Sequence, residues 1–550
     1  MSVIGIILVL LVGVVATHWI AKALGGRIAL PLVQIAAGAI IGLTTDFGVR
    51  LEPELFFVLF LPPLLFLDGW RVPKQDLKDN AVTILSLAFG LVILTVVGVG
   101  FLLHAIIPAM PLPVCFALAA VLSPTDVVAA TAMAANVTIP RRLLRILEGE
   151  ALFNDAAGLV CLRVAVTATM TGSFAFWSSA GELAWAATGG IALGLVFARL
   201  VSLIKLWVVA RLGEDTSTQI VISLLTPYGA YLLADMAGAS PVLAAVAAGL
   251  VMSWVEVGGE ALALTRIRRN AVWETLQFTL NGSIFLLLGE QLPDILSRVS
   301  AGAAESGRAD LAWLLVYMLV VTAVLAVLRF AWVWVSVVIW LHRHPDLANG
   351  QRLPNWRLVT VMSTAGVRGA ITLAGALSLP LALPDGAPFP SRDLVILIAA
   401  GVILVSLVVA NASLPGLLRT TEVPPEPHHD QQERMARIEA AKAAIAALAK
   451  AGQKGEGKQG DAKQGDHLAA VAAVADYYQH RLSQLQPEPS MATGEERLHD
   501  EELLHVVALK AERAAIAHMA RGHRISTDLA HKLLREVDLA EAAFQTASEG

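Results

Sequence analysis

Glu148, Glu150, Asn154 and Asp155 fall within eight residues of a run, Leu143 to Met170, that is otherwise apolar. A charged side chain at the centre of a bilayer costs roughly 2.5–3.5 kcal/mol or more, so this set needs a chemical reason. At ~1.5 Å per helical residue, Asp155 lies some 18 Å beyond Leu143, near the middle of a ~30 Å hydrocarbon core. At ~100° per residue, Glu148 falls within about 20° of Asp155 on the helix wheel, and Glu150 about 140° away. The helix therefore carries carboxylates on two faces.

A second polar set precedes it, in SPTDVVAATAMA at 123–134. Pro124 has no backbone donor, and Ser123 and Thr125 can bond backbone groups, so the span is expected to break here. Freed carbonyls with Thr125, Asn154 and Asp155 would make a hard, oxygen-rich site that suits Na⁺ or K⁺ and not a soft metal. Asp126 either helps bind the ion or caps a broken helix end. A carboxylate taken out of water also holds a proton more readily. One group taken by either H⁺ or a cation, on a carrier that faces each side in turn, performs exchange. STAGVRGAITLAGAL at 363–377 is a similar small-residue run, and its Arg368 needs a partner. Glu150 is the expected one, as a structural ion pair. Glu148 either attracts ions at the mouth of the path or pairs with Arg141 or Arg145. Asp68 reads as an interfacial charge, and His104 and Arg329 as span-end or packing features. Ser123 is a possible accessory.

These groups need helices to hold them. The chain has 550 residues, 56% hydrophobic and only 15% charged, against about a quarter charged in soluble domains. That composition indicates an all-α polytopic membrane protein. It gives no basic field for nucleic acid. Apolar stretches predict 13 spans between residues 3 and 418, the fifth and twelfth broken. Alternate loops carry sixteen Lys/Arg against four, which sets the N-terminus outside and the C-terminus in the cytoplasm. The opening MSVIGIILVLLVGVV has no basic flank and reads as a first span, not a signal peptide. Cys115 and Cys161 read as small buried hydrophobes.

Two segment pairs look alike: LPPLLFLDG (61–69) with SIFLLLGEQLP (283–293), and 123–134 with 363–377. Members of each pair are seven predicted spans apart, so the copies run in opposite directions, as in an inverted repeat. Residues 1–420 thus form a transmembrane unit. Residues 421–550 form a helical C-terminal unit with a polar linker near 452–466. Nine of the 13 histidines lie in that tail, on solvated faces or as a pH sensor. No tail ligand can be read from it.

LPPLLFLDGW, VLSPTDVVA, LEGEALFNDAAGLV and STAGVRGAITLAGALSLP, taken in order, resemble the signature segments of bacterial sodium/proton exchangers of the cation:proton antiporter-1 family. The resemblance spans about residues 1–420. It implies a 13-span fold with a six-span inverted repeat, a homodimer, an elevator-like movement in the inner membrane and no cofactor. It implies Asp155 as the ion- and proton-binding carboxylate with Asn154 beside it, Thr125 and Asp126 lining the crossing, and Glu150 with Arg368 as the structural pair. An Asn-Asp pair implies electroneutral exchange. Two positions depart from the pattern. Ala151 stands where many relatives have Ser. Arg163, some 12 Å beyond Asp155, adds a charge that either snorkels outward or faces the site. A cation channel and an intramembrane aspartyl protease are the rival readings. The protease would need YD and GxGD segments, which the sequence lacks, and the repeat favours a carrier over a channel.

Overall fold

The computed structural model describes residues 3–25, 28–44, 53–71, 81–133, 141–172, 176–257, 263–306, 311–343, 355–419, 427–455, 471–482, 498–522 and 524–548. Among them every extended regular element is a helix; a single bridge joins Ala382 to Pro388. The order is α1 (Val3–Ala23), α2 (Leu30–Thr44), α3 (Pro53–Arg71), α4 (Ala81–Ile106), α5 (Leu112–Leu122), α6 (Val127–Met133), α7 (Arg141–Thr171) and α8 (Phe176–Leu212). There follow α9 (Thr216–Met236), α10 (Pro241–Val257), α11 (Ala263–Ser306), α12 (Leu311–Arg343), α13 (Trp356–Thr364), α14 (Ala370–Leu377) and α15 (Arg392–Arg419). Among the described residues six helices are long and apolar enough to cross a membrane by length and composition. Large apolar side chains such as Trp19, Ile93, Val196, Trp207 and Val327 face outward from α1, α4, α8 and α12, as a lipid surface requires.

Small residues set the closest helix contacts. A Cβ on Gly38 of α2 would run into the Leu286 carbonyl of α11, and one on Gly289 of α11 into the Ile35 carbonyl of α2. The α3–α10 contact is built the same way, with Gly69 on the Val246 carbonyl and Gly249 on the Phe66 carbonyl. Without a hydrophobic drive between helices in lipid, such backbone approach is a main source of association.

The two breaks expected from sequence are present. α5 and α6 are separated by residues 123–126, and α13 and α14 by residues 365–369. The gaps meet: the Asp126 N–H donates to the Val367 carbonyl at 2.7 Å. α5 and α14 are almost wholly buried, with α15 against them, so the crossing sits in the protein core.

The C-terminal helices are α16 (Pro427–Gly455), α17 (471–482), α18 (Leu498–Arg521) and α19 (Thr527–Ser548). They bury two small cores of their own, one around Ala440, Ile516 and Leu533, the other around Leu448, Val474 and Tyr478. Of the linker expected near 452–466, residues 452–455 belong to α16, and residues 456–466 lie outside the described residues.

Candidate ion-binding site

Asp155 sits midway along α7, is buried, and lines a cavity of about 320 Å³. The walls come from α3 (Asp68, Arg71), the break after α5 (Thr125, Asp126), α7 (Glu148, Ala151), α11 (Gln277, Asn281) and α14 (Thr372). Oxygen donors and carboxylates therefore converge from five directions on one cavity.

The breaks can exist in a buried place because their ends are satisfied. Asp126 accepts from Ala129 N–H at 2.9 Å, in the first turn of α6, and from Ala370 N–H at 3.4 Å, at the start of α14. One carboxylate thus faces the positive ends of two half-helices, where negative charge is favoured. Arg368 does the opposite work. Its Nε donates to the Leu122 carbonyl at 3.1 Å, at the negative end of α5, and its Nη1 to the Gly366 carbonyl. Gly369 is required here, because a Cβ would collide with the Asp126 carboxylate. Gly369→Ala is expected to destabilise the protein by about 1–3 kcal/mol through that overlap. A lowered melting temperature of the detergent-solubilised variant would register it, and an unchanged one would remove the crossing's dependence on that contact.

A side-chain chain runs from the break into the core. Asn154 Nδ2 donates to Thr125 Oγ1 at 2.8 Å, and Thr125 Oγ1 donates to Glu150 Oε1 at 3.4 Å. Both Glu150 oxygens are then held by the two terminal nitrogens of Arg329, the second at 2.8 Å. Arg329 Nε also donates to the Met362 carbonyl of α13 at 3.1 Å. Asn154 Oδ1 is buried with no hydrogen-bond partner.

The expected ion pair of Glu150 with Arg368 is therefore corrected. Glu150 pairs with Arg329 of α12, and Arg368 is committed to carbonyls. The helix wheel gave the face of Glu150 but not which element covers that face. A lone guanidinium within the apolar run of α12 was the available signal, since such a charge needs a buried partner. Ser123 donates to the Ala120 carbonyl at 2.8 Å and does not line the cavity. Arg163 is exposed and lies off the cavity wall. Glu148 is half-buried on that wall, on the same side of α7 as Asp155. Asp68, expected only as an interfacial charge, lines the cavity as well. Gln277 and Asn281, four residues apart on one face of α11, carried a helical polar stripe that sequence reading passed over.

This architecture recurs in a solved structure. The sodium proton antiporter MjNhaP1 from Methanocaldococcus jannaschii at pH 8 superposes with a TM-score of 0.58 at 18% identity, covering 76% of this chain and 99% of the other, which establishes a shared fold. Residues 6–420 match the sequence pattern of the family described as sodium/hydrogen exchanger, transmembrane. The chain belongs to that family. The exchanger is 39% identical over 528 residues to a protein of Escherichia coli K12 named the uncharacterized Na⁺/H⁺ exchanger YjcE, with 94% of each chain covered. It is 36% identical over 510 residues to a Bacillus pumilus protein named sodium, potassium, lithium and rubidium/H⁺ antiporter, covering 92% of this chain and 73% of the other. A Bacillus subtilis protein of the same name is 40% identical over 400 residues, 70% of this chain and 57% of the other. As a member of this family the exchanger is a secondary transporter and not an enzyme.

Proposed function

We propose that the chain exchanges Na⁺ or K⁺ for H⁺ across the bacterial cytoplasmic membrane by alternating access, with cation and proton competing for Asp155. The observation that carries this reading is the convergence of Asp155, the Thr125–Asp126 break and Asp68 on one cavity within the membrane unit. The names of the Escherichia and Bacillus relatives support the same ions. In this reading the pair α5 and α6, and likewise α13 and α14, each make one crossing, giving 13 in all. Asn154, held by Thr125, fixes the side chain next to the acid. Thr125 and the carbonyls of the break serve as ligands, and Asp126 serves chiefly to stabilise the two half-helices. No cofactor is needed, since neither step is chemical.

An inverted repeat of spans one to six on spans eight to thirteen is part of the proposal. It is supported by the matching glycine contacts. Gly38 in IAAG and Gly249 in VAAG occupy corresponding positions, as do Gly69 and Gly289, and the α2–α11 and α3–α10 contacts exchange under that correspondence. The loop charges support a cytoplasmic C-terminus. A homodimer and one-for-one, electroneutral stoichiometry complete the reading.

Everted vesicles with a pH dye test it. Added Na⁺ or K⁺ is expected to dissipate an imposed proton gradient, and to do so equally under a valinomycin clamp. Cation movement with no proton countermovement would instead establish a channel, and no cation-dependent proton movement would end the antiporter reading.

A further inference from the structure

A guanidinium stands in the wall of the cation cavity. Five charged side chains among the described residues line that cavity: the acids Asp68, Asp126, Glu148 and Asp155, and the base Arg71. Asp126 is committed to the two half-helix ends. The other three acids, with Thr125 and the amides of Gln277 and Asn281, make a hard oxygen surface. That chemistry alone suits Ca²⁺ or Mg²⁺, which take several carboxylate and carbonyl oxygens. A carrier of monovalent ions built this way needs something that turns divalent ions away.

Arg71 is the last residue of α3, three beyond Asp68 and therefore on the same side of the helix. It is exposed although it lines the cavity, so it stands where the cavity meets solvent. Its Nη1 donates to Gln277 Oε1 of α11 at 2.5 Å. A neutral amide thus positions the charge without cancelling it. Glu274, three residues before Gln277, acts on that charge but does not line the cavity. A sphere of 320 Å³ is about 8 Å across, close to the Debye length of about 8 Å at physiological ionic strength. An ion beside Asp155 therefore feels Arg71 incompletely screened.

We propose that Arg71 is a valence filter, a positive charge held at the cavity rim by Gln277 that admits monovalent cations to Asp155 and disfavours Ca²⁺ and Mg²⁺. The inference rests on the exchange reading above and names a further residue that sets its ion specificity. Coulomb repulsion is proportional to ionic charge, so the guanidinium opposes a divalent ion with twice the free energy it sets against a monovalent one. Expressed in affinity, the factor is squared. Specificity of this kind comes from a repulsive element and not from a tighter fit to Na⁺ or K⁺.

The test uses the full-length protein in proteoliposomes, with Ca²⁺ as the divalent probe. Arg71→Gln removes the charge and Arg71→Lys keeps it. Two concentrations are measured for each: Na⁺ for half-maximal proton movement, and Ca²⁺ for half-maximal inhibition of that movement. Arg71→Gln is expected to lower the first by roughly threefold and the second by roughly tenfold, the square of that factor, with added choline chloride shrinking both changes. Arg71→Lys is expected to stay near the parent. Gln277→Glu sets a carboxylate against the guanidinium, shifts both values in the same direction, and replaces Arg71→Gln should that variant not accumulate. Equal shifts for the two ions, no shift for Ca²⁺, or a lysine variant that behaves like the glutamine one overturns the filter. Calorimetric titration of Ca²⁺ into the purified protein makes the same comparison without transport. Failure of the exchange reading is therefore distinguishable. The parent would then move no protons, while tighter Ca²⁺ binding by Arg71→Gln would still show the repulsion and unchanged binding would overturn it.

Discussion

Asp155→Asn will reduce cation-dependent proton movement to the level of vesicles without the protein, while the variant folds and inserts normally. The reason is chemical and specific to this side chain. Asn keeps the volume and the hydrogen-bonding carbonyl but can neither release a proton nor neutralise a cation. Asp155 is buried on the cavity wall, so no water-exposed group stands in its place. Asp68 and Glu148 line the same cavity, yet both are only half-buried, whereas Asp155 is buried. Their amide variants are expected to weaken apparent cation affinity and leave exchange measurable. Dye-quench traces at saturating Na⁺ separate the two classes. Substantial exchange by Asp155→Asn would move the site to another carboxylate.

Glu150→Ala and Arg329→Ala are the second large effect, and here the loss is of protein and not of chemistry. Each leaves its partner charged and buried, with both side chains 1% exposed. Breaking a buried pair in this way costs about 3–5 kcal/mol, a large share of the stability of an ordinary domain. Loss also propagates, because Glu150 accepts from Thr125, which in turn holds Asn154. The expected outcome is strongly reduced folded yield and a much lower melting temperature in detergent for either variant. Arg163→Ala, on the exposed side of α7, should lie within about 0.5 kcal/mol of the parent. Equal stability of all three would refute the pairing.

Much of this site is legible in the sequence, and what is not has a common cause. Helical periodicity places Asp155 midway along its helix and turns Glu150 to another face, because those are properties of one helix. Pro124 and the glycines around Arg368 announced the two breaks, because backbone chemistry is local. Partner identity is not local. A buried cation needs an anion, which points Arg368 to Glu150, but broken helices also supply carbonyls, and Arg368 uses two of them. Arg329 reads from sequence as a packing feature, although it interrupts the core of an apolar run. Asp68 and the Gln277–Asn281 stripe entered only when the cavity brought α3 and α11 against α7. The pairing of Arg266 on α11 with Asp538 on α19 has no sequence signal, because the two are 272 residues apart and each is an ordinary charge on its own helix.

Competition between the two ions is the core of the account, and its pH dependence measures it most directly. In proteoliposomes, the cation concentration for half-maximal exchange is to be followed as the pH on that side is lowered. One site taken by either ion predicts that this concentration climbs by about tenfold per unit on the acid side, with the maximal rate reached at high cation unchanged. A half-maximal concentration that stays constant while the maximal rate falls would mean that proton and cation occupy separate sites, and would contradict it.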